Sequence, residues 1–129
     1  MLINDGNVHI KYRQTIKIIR QYIHYMKDQE THKIPSLLIF QFFLDFSRSD
    51  KYNDISEYYD IILVLVKRLN KANTLSNNKE MLNVLYELVK LNMNKRKNLL
   101  AIDSDCYYTI KFILRILKES GVEMKDLNE

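Results

Sequence analysis

Two glycines, one proline, one cysteine and no tryptophan are all that this 129-residue sequence contains of those four residue types. Each scarcity excludes something. A phosphate-cradling loop needs clustered glycines whose backbone N–H groups approach the ligand, and Gly6 and Gly121 stand alone near opposite ends of the chain. Nucleotide-dependent chemistry therefore has no loop to work from, and no cofactor is expected. The single cysteine, Cys106, cannot form an internal disulfide, and no Asn-x-Ser/Thr acceptor occurs. The opening Met1-Leu2-Ile3-Asn4-Asp5-Gly6 lacks the charged and apolar blocks of a signal peptide. An intracellular, cytoplasmic or nuclear location is the expectation, and secretion is not. No apolar run reaches the roughly 18–20 residues of a membrane span, so no membrane partner is expected either.

What remains is rich in core-forming residues. Hydrophobic residues make up 47% and charged residues 28%, enough to bury a core without disulfides or metal. We read residues 1–129 as one helical domain, with 1–7 and 122–129 as frayed ends. Abundant Ile, Lys, Asn and Tyr match the coding bias of AT-rich genomes, many large DNA viruses among them. The net charge of +4 is unevenly spread. Residues 1–33 carry +3, 34–66 carry −3, 67–98 carry +6 and 99–129 carry −2. Alternating blocks of this kind give a polar surface suited to electrostatic steering.

Apolar residues recur at helical spacing along nearly the whole chain. Tyr12, Ile16, Ile19, Ile23 and Met26 are spaced by 4, 3, 4 and 3, which predicts one buried face of a helix from Val8 to Asp28. Asp5-Gly6-Asn7 would cap it, and Ile18, Tyr22 and Tyr25 would widen its buried face. Arg13, Lys17, Arg20, His24 and Lys27 form a basic stripe about 100° around the same helix. After a polar break at Gln29–Lys33, Pro35 suits the start of a second helix. Its body, Ser36 to Ser47, is apolar nearly all round and reads as the Phe/Leu-rich centre of the fold. A short strand over Leu37–Phe46 is the alternative that length alone leaves open.

Asp54-Ile55-Ser56-Glu57 has the spacing of a capping box. It predicts a third helix to Asn70, buried through Ile55, Tyr58, Tyr59, Ile62, Leu63, Val66 and Leu69. A polar loop from Lys71 to Ser76 precedes a fourth helix, Asn78 to Met93, with Asn77 as cap and Glu80 three residues on. Its inward face is Met81, Leu82, Leu85, Leu88, Val89 and Asn92. Asn94-Lys95-Arg96-Lys97-Asn98 breaks the pattern, and one short apolar turn is expected at Leu99–Ile102 before Asp103-Ser104-Asp105 caps a last helix. That helix runs from Cys106 to Ser120, with Tyr107, Ile110, Ile113, Leu114 and Leu117 inward. Gly121 is placed where a left-handed terminating residue is expected. The prediction is an all-α bundle or short helical stack of about five to six helices.

Catalytic chemistry finds no footing in these residues. His24, Asp28 and His32 would converge on a metal only if one helix ran through all three, and no metal is expected. Asp103-x-Asp105 lacks the Gly and closing Glu of a calcium loop. Cys106 lies beside two carboxylates, which disfavour a thiolate, so a small buried or half-buried thiol is expected. Asp54, Glu57 and Asp60 have the spacing of capping and dipole complementarity at a helix start.

Two surfaces remain as binding candidates. Phe40, Phe43 and Phe46 would dock a protein partner, or a second copy of the chain, if the second helix were exposed. Arg13, Lys17, Arg20, Lys67, Arg68, Lys71, Lys95, Arg96 and Lys97 would neutralise nucleic-acid phosphates without reading sequence. No helix-turn-helix spacing, zinc knuckle or RNP-like motif accompanies that basic set. The expected function is thus a non-enzymatic helical protein–protein interaction module, adaptor or regulatory, with self-association open to it. A nucleic-acid-associated protein that uses the 67–98 surface and the first helix is the alternative.

Overall fold

The computed structural model describes residues 5–49, 55–95 and 104–124. Among them are five α-helices, two 3-10 turns and no strand. The helices are α1 (Asp5–Tyr25), α2 (Ser36–Ser49), α3 (Tyr59–Lys71), α4 (Lys79–Lys95) and α5 (Ser104–Glu119). The 3-10 turns, Asp28–Lys33 and Ile55–Glu57, precede α2 and α3. This is the all-α bundle that the periodicity predicts, and Leu37–Phe46 is helical. Helix α2 packs along α4 in the most extensive contact, α5 lies against both α3 and α4, and α1 lies against α3.

The Phe-rich helix is central. Phe40, Phe43 and Phe46 are each 0% exposed. Phe43 stacks on Tyr58 with ring centroids 4.4 Å apart, and Tyr12 of α1 meets the edge of Phe46 at 5.2 Å. All six residues expected on the inner face of α4, Asn92 included, are buried. On α3 the inner face is Ile61, Ile62, Leu65, Val66 and Leu69. Leu63, expected there, is only partly covered, because the helix starts anew at Tyr59 and is not continuous with Ile55.

The interruption has a side-chain cause. Tyr58 has a non-helical backbone (φ −147°, ψ 13°) and is fully buried. Its hydroxyl is hydrogen-bonded to the Ser47 hydroxyl and accepts from Asn92 Nδ2 at 3.2 Å. Asn92 also donates to the Leu88 carbonyl at 2.8 Å and accepts the Ile55 backbone N–H at 2.8 Å. One buried amide thus satisfies the N–H that begins the 3-10 turn, and with Tyr58 ties α2, α4 and the start of α3 together.

Helix ends differ from expectation in instructive ways. Helix α1 includes Asp5–Asn7 and stops at Tyr25, three residues short of Asp28. The cap of α4 is Asn78, not Asn77: its Oδ1 accepts the Met81 N–H at 3.1 Å, which leaves Glu80 out of a capping box. Gly121, at φ +84°, ends α5 as predicted. The Val122 N–H reaches the Leu117 carbonyl and the Gly121 N–H reaches Lys118, the paired bonds of a Schellman cap. Val122 and Met124 are partly buried against the core. Asn73 plays the same part after α3, with φ +57° and the Thr74 N–H bonded to the Leu69 carbonyl. An Asn tolerates this left-handed position where most residues do not. Asp54, Leu99–Ile102 and Asp103 lie outside the described residues.

Candidate protein-binding cleft

The seam between α1 and α3 is built by two arginines. Arg20, on α1, holds Asp60 with both arms of its fork: Nε to Oδ2 at 2.7 Å and Nη2 to Oδ1 at 3.1 Å. Its Nη2 also donates to the Glu57 carbonyl at 3.2 Å. The hydrogen bond that Arg20 donates to Asp60 outweighs the opposing desolvation and raises the guanidinium above its usual pKa. Two turns earlier, Arg13 pairs with Glu57 at 3.4 Å. Glu57 and Asp60 are thereby accounted for as partners of α1.

Arg68 works from the other side. Its side chain is only 11% exposed and lies 3.5 Å from Asp28. It donates to the Ile23 carbonyl at 3.2 Å, to the Lys27 carbonyl and to Thr31 Oγ1 at 3.2 Å. The last carbonyls of a helix have no partners of their own and carry the negative end of its dipole. A guanidinium from α3 therefore caps α1 and fastens the 3-10 turn that follows it.

Between these two clamps lies a cleft of about 810 Å³. Ile23, Met26, Ile61 and Val64 give it an apolar floor, and Tyr25 and His24 form one lip. Its charged walls are Arg20 with Asp60 and Arg68 with Asp28, each cation already facing a carboxylate. Lys67 stands at the far lip, where the surface continues onto α5. Its ammonium lies 5.6 Å from the ring centroids of both Tyr108 and Phe112. Arg115 approaches Phe112 at 5.3 Å, and Lys111 approaches Tyr107 at 5.6 Å. The result is an apolar trough with neutralised walls and one rim where cations rest on aromatic faces. Another, smaller hollow of about 450 Å³ lies between the start of α4 and the Gly121 turn.

The residues singled out from sequence separate into three groups. Phe40, Phe43 and Phe46 belong to the core, each 0% exposed, which leaves none of them as an outward docking surface; Phe43 meets Tyr58 and Phe42, and Phe46 meets Tyr12 and Tyr58. Arg13, Arg20 and Arg68 are engaged with the chain's own carboxylates and carbonyls. Lys17, Lys67 and Lys71 are exposed, the first on α1 and the others on α3. Lys95 is the last residue of α4, and its side chain, with Arg96 and Lys97, lies outside the described residues. The nine basic candidates therefore do not assemble into one described surface.

Several neighbours of the cleft escaped sequence reasoning. Tyr108, Phe112 and Arg115 are spaced by 4 and 3 on the non-core side of α5, a signal visible in the chain but attached to a segment of net −2. Tyr25, Ile18 and Tyr22 were expected to be buried; they are 82%, 65% and 40% exposed. Among the described residues α1 packs on α3 and, through Tyr12, on α2; Ile18 and Tyr22 lie away from that side, and Tyr25 stands at the lip of the cleft. His24, Asp28 and His32 do not share a helix, since α1 ends before Asp28, and among the described residues no three His, Cys, Asp or Glu gather as metal ligands. No described helix is long and apolar enough to cross a membrane. Compared with known protein families, curated proteins and solved structures, the chain matches none.

Proposed function

We propose that this chain is a non-enzymatic, intracellular helical module that binds another protein through the α1–α3 cleft and its α5 rim. The observation that carries the reading is the apolar floor of Met26, Ile61 and Val64 beside an aromatic lip, Tyr25, that is 82% exposed. A trough of this shape fits an amphipathic segment laid in with its apolar side down. Charge selects among such segments. Carboxylates on the partner would lie over Lys67 and Arg115, whose positive charges are met by ring faces and not by acids among the contacts of the rim.

Nucleic-acid binding is the second reading, and the same rim favours it, because aromatic rings beside cations are also stacking platforms for bases. Against it stands the engagement of Arg13, Arg20 and Arg68 with internal partners, which removes three of the nine candidate phosphate contacts.

Salt separates the two. A partner recovered with the chain, purified and titrated, should bind with weak salt dependence and lose affinity on Val64→Arg, which fills the trough floor with a charge. Single-stranded nucleic acid would instead weaken with a slope of about 0.7 in log K per phosphate contact for each tenfold rise in salt. Sub-micromolar nucleic-acid binding at physiological salt, abolished by Lys67→Glu with Arg115→Glu, would replace the first reading with the second.

A further inference from the structure

The outer face of α1 carries an apolar seam that no described element covers. Ile18, Tyr22 and Tyr25 stand out on it at 65%, 40% and 82% exposure. Lys11, Gln14 and Gln21 on the same face are exposed too, and Thr15 is half-buried with its hydroxyl on the Lys11 carbonyl. These residues fall into a repeat of seven: Lys11, Ile18 and Tyr25 down the middle, Gln14 and Gln21 on one flank, Thr15 and Tyr22 on the other. Residues seven apart return to nearly the same face of a helix, which is the spacing of a helix–helix seam.

The seam is complementary to itself when reversed. Two copies of α1 laid antiparallel about a twofold axis at Ile18 place residue i opposite residue 36 − i along the centre line. Ile18 then meets Ile18, and Lys11 meets the face of Tyr25 at both ends, a cation on an aromatic ring. In an antiparallel pair each flank meets its own kind, so Gln14 faces Gln21, amide to amide, and Thr15 faces Tyr22. No two cations are opposed. Lys17 lies about 100° around the helix from Ile18 at 100° per residue, and Arg13 and Arg20 are turned toward Glu57 and Asp60. A twofold dimer requires a patch that matches itself in this way.

We infer that the partner of this face is a second copy of the chain, joined through α1 in an antiparallel twofold pair centred on Ile18. The inference rests on the reading of the chain as an interaction module, but uses a different face from the cleft floor; only Gln21 and Tyr25 serve both. Fifteen residues of helix span about 21 Å, less than a standard interface of about 800 Å² per partner needs. A dimer with a dissociation constant on the order of 10–100 μM is therefore expected, not an obligate one.

Sedimentation from 1 μM to 1 mM should show the 15.5 kDa chain converting to a dimer. Ile18→Glu should weaken dimerisation by about 100-fold or more, since two carboxylates then meet at the axis without partners, and leave the helical spectrum unchanged because Ile18 is exposed. Cysteine cross-linking tests the register independently of stability, with native Cys106 silent because it is buried. Ile18→Cys should link to itself under mild oxidation. Lys11→Cys and Tyr25→Cys should link when mixed but not singly, and Val64→Cys on the cleft floor should not link. A chain that stays monomeric at 1 mM, or that links equally through Val64→Cys, overturns the proposal. Loss of partner binding by Val64→Arg with dimerisation intact would show the cleft reading standing separately.

Discussion

Replacing Asn92 with leucine keeps much of the side-chain volume and strips away both hydrogen-bonding ends, and the structure says where the cost should fall. Asn92 Oδ1 is the partner of the Ile55 backbone N–H, and its Nδ2 serves Tyr58 and the Leu88 carbonyl. In the variant the Leu88 carbonyl keeps its place in the helix and the Tyr58 hydroxyl keeps Ser47. The Ile55 N–H, on a residue only 1% exposed, keeps nothing from Asn92. A buried group left unsatisfied costs about 1–3 kcal/mol, and the added apolar surface of leucine returns part of that. The expected net loss is about 1–2 kcal/mol, a fall of several degrees in Tm for a chain of this size. Tyr58→Phe, which orphans one amide hydrogen of Asn92 but keeps the stack on Phe43, should cost about 1 kcal/mol. The double variant removes donor and acceptor together, so its cost should fall below the sum by about 0.5–1 kcal/mol. Urea unfolding followed by far-UV circular dichroism measures all three, with unchanged slope as the check that only stability has moved. If Asn92→Leu matches or exceeds the parent in stability, or the double variant is strictly additive, the buried network does not hold the start of α3.

Three further outcomes are expected. Phe43→Ala, which empties a fully buried site and removes the stack on Tyr58, should cost about 3–5 kcal/mol in the same unfolding assay. Arg68→Ala should cost about 1.5–3 kcal/mol, because charged hydrogen bonds to two carbonyls are lost; Arg68→Lys should recover little, since a point ammonium cannot span Ile23, Lys27 and Thr31 at once. Gly121→Ala should cost about 1–2 kcal/mol through backbone strain alone, since φ is +84° and nothing lies within 4 Å of the added methyl; a neutral result by thermal denaturation would show that the cap at α5 relaxes.

Much of this architecture was legible because it is local. The inner face of α4, the buried thiol of Cys106 and the Gly121 terminator each depend on neighbours within a few positions, where spacing and backbone preference decide. The misreadings share the opposite property. Periodicity marks Ile18, Tyr22 and Tyr25 as apolar, but burial needs a neighbour on that side, and no described element lies there. Ile55–Asn70 has the pattern of one helix, yet Asn92, 37 residues away, fixes the Ile55 N–H and the chain breaks at Tyr58. Arg68 counts as surface charge in any tally by segment, whereas its hydrogen-bonding partners lie 37 to 45 residues earlier. Lys67 finds Tyr108 and Phe112 only once α3 and α5 are packed.

The arginine that caps α1 also sets a clock. Ile23 and Arg68 are separated by 45 residues, so a ribosome adding about 5–20 residues per second needs about 2–9 seconds to supply the group that finishes a helix already made. Until then that guanidinium is missing from the end of α1, and both its core side and its outer seam are bare. Two nascent chains on one message would present those seams to each other before either could close its own bundle. Helix α1 is made before the residue that caps it, and the interval is the stretch of its life in which it is most available to another copy.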